Sequence, residues 1–229
     1  HDNAQELKMK LIAETTKFED MQVITEGKGD KKSMYITGPF LQAEKVNRNN
    51  RVYPERVMDM AVEKYISEYV EKNRALGELN HPAEPQVNPE RAAILTTELS
   101  KSGIYYEGKA KVLSTPMGKI VENLLSDGVT IGVSSRGLGS LKPVQKGINE
   151  VQEDFVLTTA ADVVFDPSAQ AAFVEGVYEG AQWVMESAGI FRMIDPQEER
   201  EHLLKAKKRN LQEAKLRVWQ QFMKELSNS

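Results

Sequence analysis

Residues 92–113 read AAILTTELSKSGIYYEGKAKVL and contain two runs of β-forming residues around a turn. The first run covers residues 92–98 and the second covers residues 104–113, and Ser100-Lys101-Ser102-Gly103 joins them. Polar residues that end in a glycine between two such runs are typical of a β-hairpin. This stretch therefore predicts antiparallel β-structure in the middle of the chain.

Segments on both sides of the hairpin add two helices and more strands. Apolar residues at three- and four-residue steps follow Pro54 and predict a helix to about Arg74. A second helix is predicted for residues 117–125, because Thr115 can cap its first turn. Further short strands are predicted at residues 33–41, 129–133, 138–144 and 154–165. The pattern indicates an α+β fold.

The two ends of the chain differ from this middle part. Helically spaced apolar residues within residues 3–18 predict a short amphipathic helix, and charged residues with helically spaced apolar ones from Pro196 onward predict a long one. We therefore expect a helical or flexible segment over residues 1–30, a main domain over residues 31–185, and a helical segment over residues 186–229.

Composition limits the classes of function. The chain has 229 residues, no cysteine, and a net charge of -4 from 30 basic and 34 acidic residues. These numbers argue against a disulfide scaffold, a thiolate site and a nucleic-acid-binding surface. No apolar run approaches the roughly 20 residues that cross a bilayer, so we expect no membrane partner.

Histidine is scarce, and this makes His81 a candidate base. The chain has three histidines, of which one is the first residue and one lies in the charged C-terminal part. His81 follows Glu78 and Asn80 in a loop that three prolines restrict between residues 77 and 89. A solvated loop histidine is the competing interpretation.

A pair of serines among glycines supplies a candidate nucleophile. Residues 132–139 read GVSSRGLG and follow an apolar run. Glycines permit unusual torsions and close backbone approach around a serine. The pattern differs from the G-x-S-x-G elbow of esterases and lipases, because the second glycine comes three residues after Ser134. A plain glycine-rich turn is the competing interpretation, and Ser135 remains an alternative nucleophile.

A serine needs a base, and the base is best held by a third group. Asp162 is an acid within the apolar stretch AADVVF, residues 160–165. A buried carboxylate is costly without a partner, and an imidazole, a backbone amide or an arginine could each provide one. A metal site with His81 and the flanking Glu78 and Glu84 would need further ligands, so we expect no metal and no cofactor.

Together these motifs resemble the prohead proteases of T-even-like tailed phages. The resemblance rests on residues 77–82, GELNHP, followed by residues 132–137, GVSSRG, and spans roughly residues 35–174. Shorter stretches agree with it: FLQAE at 40–44, NRN at 47–49, RVYP at 51–54 and PSA at 167–169.

The resemblance implies a serine endopeptidase related to the herpesvirus assembly proteases, with an antiparallel β-barrel surrounded by helices. It implies Ser134 as nucleophile and His81 as general base. Asp162 stands where the herpesvirus relatives have a second histidine. A backbone loop near residues 166–170 would then help to form the oxyanion hole.

The family cleaves after glutamate in Leu/Ile-x-Glu motifs. The resemblance therefore implies phage scaffold, core and capsid proteins as substrates, self-cleavage near the chain ends, and a location in the host cytoplasm inside the assembling prohead. A homo-oligomer is left open. The alternative from another class is a noncatalytic scaffold or core protein of the prohead.

Overall fold

The computed structural model describes residues 9–15, 21–28, 32–80, 82, 84–145, 147–165, 182–185 and 191–194. The chain divides into two compact units, residues 1–192 and 193–229. The long helix predicted beyond Pro196 and the helical segment over residues 186–229 lie outside the described residues, except for residues 191–194, which are a strand.

Most of the described residues are in strands, which are numbered in chain order. They are β1 (Lys10–Thr15), β2 (Gln22–Glu26), β3 (Ser33–Gln42), β4 (Arg51–Val52), β5 (Leu76–Glu78), β6 (Ala92–Ser102), β7 (Tyr105–Val112), β8 (Gly132–Gly139), β9 (Leu141–Gln145), β10 (Ile148–Val151), β11 (Val156–Val164), β12 (Gln182–Met185) and β13 (Phe191–Ile194).

Two antiparallel sheets build the body of the first unit. A five-stranded sheet has the order β2-β3-β7-β6-β5, and a three-stranded sheet has the order β1-β8-β11. A smaller sheet has the order β4-β10-β9. The predicted hairpin is confirmed as β6 and β7, with Ser102 opposite Tyr105 at the turn. The fold is α+β, as predicted, and no closed barrel is present among the residues that the structure describes.

Both helices that were predicted in the middle of the chain are present. Helix α1 (Glu55–Tyr65) begins after Pro54 and continues as one π-helical turn, Ile66–Val70, so that it ends before Arg74. Helix α2 (Pro116–Ser126) begins at the predicted cap, where the Thr115 hydroxyl accepts a hydrogen bond from the Gly118 amide. Within the described residues, no helix is long and apolar enough to span a membrane.

One hydrophobic core joins the two larger sheets and α1. Its buried side chains come from β3, β6, β8, β11 and α1, among them Ile36, Phe40, Val57, Met58, Ile94, Val133 and Val163. Gly77 marks the closest approach of β5 to β11, because a Cβ atom there would lie 1.9 Å from the carbonyl oxygen of Ala161. Burial of such apolar surface is the main favourable contribution to folding, and it fixes β5 against β11.

Three expectations about secondary structure were wrong. Residues 10–15 form strand β1 instead of a helix, because their pairing with β8 buries Leu11, Ile12 and Ala13. Residues 134–137, which were expected to be a glycine-rich break between two predicted strands, continue strand β8, in which every residue is buried. The proline-restricted segment that was expected to be a loop from residue 77 begins instead within strand β5.

Candidate active site

Strand β8 carries the two serines to opposite faces of its sheet. Successive side chains of a strand alternate between the faces, so Ser134 shares a face with Arg136 while Ser135 lies on the other face. Glycines at 132, 137 and 139 allow close packing, because a Cβ at Gly137 would lie 2.4 Å from the Phe155 ring. Ser134 and Arg136 are both fully buried.

The pairing of three strands places Ser134 between two specific neighbours. Thr15 of β1 lies opposite Ser134, and Asp162 of β11 lies opposite it on the other side. Directly opposed residues in antiparallel strands have their side chains on the same face. The sheet therefore brings the predicted nucleophile and the predicted third residue to adjacent positions.

The hydroxyl of Ser134 contacts strand β1. Its Oγ donates a hydrogen bond of 3.0 Å to the carbonyl oxygen of Glu14. The same Oγ lies 3.1 Å from Oγ1 of Thr15, within hydrogen-bonding distance. Strand β1, which pairs with β8 in the same sheet, thus lies directly beside the predicted nucleophile.

Asp162 is fully buried and is bound by two kinds of donor. Its Oδ1 accepts a hydrogen bond of 2.8 Å from the Glu78 amide. The Arg136 guanidinium donates to both carboxylate oxygens, from Nε to Oδ2 at 2.6 Å and from Nη2 to Oδ1 at 3.2 Å. The backbone amide and the arginine that the sequence left open as partners are therefore both present.

Arg136 also binds the two residues that flank the predicted base. Its Nη2 donates to Oε2 of Glu78 at 2.7 Å, and its Nη1 donates to the backbone carbonyl of Glu84. Glu78 precedes His81 by three residues and Glu84 follows it by three. One guanidinium thus connects the nucleophile strand, Asp162 and both ends of the His81 segment.

Two buried carboxylates of this cluster lie near two guanidiniums. Glu78 and Asp162 share the guanidinium of Arg136, and Arg91 Nε also lies 3.8 Å from Oε1 of Glu78. Burial raises the pKa of the Glu78 carboxyl above its ordinary value; Arg136 and Arg91 oppose this shift, and the charge of Asp162 adds to it. At Glu78 the effect of burial therefore outweighs that of the nearby guanidiniums.

His81 itself lies outside the described residues, as do residues 166–170, where the oxyanion loop was expected. The residues just before His81 are anchored to β11. The Asn80 amide donates to the carbonyl of Val163 at 2.9 Å, and Leu79 forms a bridge with Val163. Asn80 has a φ of 67°, a left-handed conformation that asparagine tolerates better than most residues.

The sequence analysis missed the roles of Arg136 and Glu78. A signal was present, because Arg136 lies two residues after Ser134, and this spacing places both on one face if the segment is a strand. Residues 134–137 lay between two predicted strands, so this signal was not used. Among the described residues, no group of three or more metal-ligating side chains is found.

Comparison with known proteins identifies the family of the chain. A family model described as "Prohead core protein serine protease" matches residues 8–182. The prohead core protein protease of Enterobacteria phage T4 is 44% identical over 149 residues, which cover 64% of this chain and 70% of the relative. The solved structure of the bacteriophage T4 capsid assembly protease aligns with a TM-score of 0.64 and 38% identity, over 70% of this chain and 100% of that one. The family model alone covers far more than half of the chain, and the chain therefore belongs to the prohead core protein serine protease family.

Proposed function

We propose that the chain is a serine endopeptidase that uses Ser134 as nucleophile, His81 as general base and Asp162 as the residue that orients the base. Ser134 Oγ would attack the carbonyl carbon of the scissile peptide bond while His81 takes its proton and passes it to the leaving amine. Water would then hydrolyse the acyl-enzyme by the same proton transfers in reverse.

The observation that carries this proposal is the pairing of Ser134 with Asp162 across β8 and β11. The chain reaches His81 directly after Asn80, whose amide is bound to the residue that follows Asp162. The residues that lead into the predicted base are therefore bound at the same end of β11 as the predicted orienting carboxylate.

The ion pair between Asp162 and Arg136 affects how strongly Asp162 would stabilise a protonated His81. A carboxylate that already binds a guanidinium stabilises an imidazolium less than a free one does. Glu78 also lies 3.8 Å from Arg91, so the two carboxylates are matched by two guanidiniums. We therefore assign Asp162 mainly to orienting the imidazole of His81, and Arg136 to positioning Asp162 and the segment around His81.

The proposed substrates follow from the family. The similar T4 proteins are named as proteases of the prohead core and of capsid assembly. We propose that this chain cleaves phage scaffold, core and capsid proteins after glutamate in Leu/Ile-x-Glu motifs, inside the prohead in the host cytoplasm. We also propose kinship with the herpesvirus assembly proteases, including their barrel-like arrangement of strands.

Self-cleavage is part of this proposal, and the candidate motifs differ in access. Leu/Ile-x-Glu motifs of the chain end, among other places, at Glu14, Glu26, Glu68, Glu78, Glu150 and Glu213. Glu78 is fully buried and Glu68 lies in the π-helical turn, so neither is presented in an extended, accessible form. Glu150 lies in β10, between two other strands. Glu14 and Glu26 lie in strands near the N-terminus, and Glu26 is on an exposed edge strand. The motif that ends at Glu213 lies outside the described residues.

The deciding experiment is hydrolysis of a synthetic Leu-x-Glu peptide by the purified chain. We expect cleavage after the glutamate, and no cleavage by the Ser134→Ala variant. Absence of hydrolysis by a folded wild-type chain would instead favour the noncatalytic scaffold or core protein.

A further inference from the structure

Strand β11 changes register against β8 before it reaches Asp162. Near the start of the pairing Val156 lies opposite Leu138, whereas further along Asp162 lies opposite Ser134. Between these two pairs β11 advances from residue 156 to 162 and β8 only from 138 to 134, so β11 holds two residues more than its partner. The register shifts on either side of Thr159. Strand β11 therefore contains two β-bulges, one on each side of this threonine.

The two bulges decide which residue of β11 faces the predicted nucleophile. If the register at the start of β11 continued without them, Ala160 would lie opposite Ser134. One extra residue would bring Ala161 to that place and would turn Asp162 to the other face, because successive side chains of a strand alternate. Two extra residues bring Asp162 there. Bulges are common next to active sites, where they re-aim a side chain, and here they set the position of the proposed orienting carboxylate.

The second bulge is buried, so its backbone needs partners inside the protein. Ala160 and Ala161 have no opposite residue on β8, and both are buried. A buried amide without an acceptor is costly. The backbone of Ala160 forms a hydrogen bond with the hydroxyl of Tyr65. Burial raises the pKa of this hydroxyl well above its ordinary value, and the hydrogen bond opposes the shift, as donation by the Ala160 amide does.

Tyr65 is the last residue of α1, and its neighbours fix its ring. The side chain is 2% exposed. The ring stacks on that of Tyr69 in the following π-helical turn, with 5.1 Å between centroids and 23° between planes. The charge of Asp162 adds to the rise in the pKa of Tyr65, and that of Arg136 opposes it. The Tyr65 hydroxyl therefore lies close to the candidate site, although it belongs to a helix outside the sheet.

We propose that Tyr65 is a positioning residue for Asp162, because its hydroxyl holds the bulge at Ala160 and so keeps the carboxylate opposite Ser134. The inference rests on the proposed function, since it needs Asp162 to orient the base. Tyr65 acts through the backbone of β11 and takes no part in proton transfer.

A phenylalanine at this position would separate the hydroxyl from the packing. The ring would keep its stacking on Tyr69 and its apolar contacts in the core. The Ala160 amide would lose its acceptor, and the bulge would relax toward another partner. A catalytic group that is displaced by about 1 Å can lose about 10²-fold in rate, so a small movement of Asp162 is enough to be measured.

The first test is the turnover of Tyr65→Phe with a Leu-x-Glu peptide, measured well below the melting temperature of the variant. We expect kcat to fall by roughly 10- to 100-fold and KM to stay unchanged. Tyr106→Phe is the matched control, because Tyr106 is also buried and its hydroxyl binds Asp59 at 2.6 Å, away from Asp162. The control should change neither constant.

A double-mutant cycle tests whether Tyr65 acts through Asp162. Tyr65→Phe should cost nothing further in kcat when it is added to Asp162→Asn, because the charge that it positions is already lost. Additive losses would mean that the hydroxyl acts independently of Asp162, and the inference would be wrong.

Hydrogen exchange tests the bulge directly and needs no activity. Amides of residues 158–162 should exchange faster in Tyr65→Phe than in the wild type, and Tyr106→Phe should leave them unchanged. Unchanged exchange in Tyr65→Phe would show that the hydroxyl does not hold the bulge. A Tyr65→Phe chain that does not fold would also overturn the inference, because the hydroxyl would then be a requirement of the fold. If the wild type hydrolyses the peptide and Tyr65→Phe behaves like Tyr106→Phe, the inference is wrong while the proposed function stands. If the wild type hydrolyses no peptide, both fail.

Discussion

The guanidinium of Arg136 binds both carboxylate oxygens of Asp162, with Nε 2.6 Å from Oδ2 and Nη2 3.2 Å from Oδ1. This two-point contact fixes the plane of the carboxylate and ties β8 to β11 through side chains as well as backbone. Arg136 lies two residues from Ser134 on the same face of β8. The position of Asp162 relative to Ser134 therefore depends on Arg136.

The two acids bound by Arg136 should differ in their effect on catalysis. We expect Asp162→Asn to lower kcat by about 10³–10⁴-fold, as expected for the orienting acid of a catalytic triad. Glu78→Gln removes a carboxylate from the same guanidinium but leaves Asp162 in place, so it should lower kcat much less. Asp162→Asn should also lose stability, because it disturbs a buried ion pair. Steady-state hydrolysis and thermal melting of both variants would measure these effects.

Comparable losses of kcat in the two variants would contradict the assignment of Asp162. A purely structural Asp162 would lower the melting temperature and leave the turnover of the remaining folded protein unchanged.

The two serines provide the simplest test of the nucleophile. Ser134→Ala should abolish peptide hydrolysis, because it removes the hydroxyl that is proposed to form the acyl-enzyme. Ser135→Ala should retain most of the activity, because Ser135 lies on the opposite face of β8 from Asp162. Peptide hydrolysis and circular dichroism of both variants would check this. A reversed result would make Ser135 the nucleophile.

The sequence predicted the fold where local pattern and tertiary pairing agree. Residues close together in sequence determine the β6–β7 hairpin and the cap at Thr115, so the local sequence was enough to predict both. Strand β1 was predicted as a helix because Leu11, Ile12 and Thr15 suit either period. Its pairing with β8 joins residues more than a hundred positions apart, and this long-range contact decided its conformation.

The sequence predicted which residues form the candidate site better than it predicted how they are arranged. Ser134 and Asp162 are neighbours as expected, but the strand conformation of residues 134–137 was not foreseen, since glycine is typical of turns and is depleted in strands. The arginine cluster depends on Glu78 and Asp162, which lie 84 residues apart in sequence. Spacing in a single sequence cannot reveal such a contact.

The raised pKa of Glu78 predicts a pH dependence of stability. Because the folded state binds the proton of Glu78 more tightly than the unfolded chain does, this group contributes stability below its ordinary pKa of 4.5, and the contribution is lost as the pH rises through the folded pKa. The unfolding free energy of the wild type minus that of Glu78→Gln should therefore fall as the pH rises from about 4 to about 8. Urea denaturation across this range would measure the difference. If this difference in unfolding free energy rose with pH instead, the attraction of Arg136 would outweigh burial and the pKa of Glu78 would be lowered.

The contact at Gly77 predicts a packing defect next to the site. A Cβ at this position would lie 1.9 Å from the Ala161 carbonyl oxygen, so Gly77→Ala must push β5 away from β11. We expect a loss of about 1–3 kcal/mol in stability and reduced activity, because Glu78 and Asp162 would separate. Gly139→Ala is the control, since its nearest contacts would be 3.1 Å or longer. Equal melting temperatures for the two variants would contradict the close approach.

The two N-terminal glutamates should be cut by different routes. The backbone carbonyl of Glu14 already accepts a hydrogen bond from Ser134 of the same chain. Cleavage after Glu14 should therefore follow first-order kinetics, with a rate constant that does not depend on protein concentration. Glu26 is held in the other large sheet, opposite Ser33 and bound to Lys109 at 2.7 Å. To reach its own Ser134, β2 would have to leave that sheet, whereas an exposed edge strand is open to a second molecule. The rate of cleavage after Glu26 should therefore rise in proportion to protein concentration.

A mass-tagged Ser134→Ala chain mixed with active protein separates the two routes. We expect the tagged chain to be cut after Glu26 and to remain joined at Glu14. Cleavage of the tagged chain after Glu14 at the same rate as in the active chain would mean that β1 is delivered to another molecule and is not a substrate in cis.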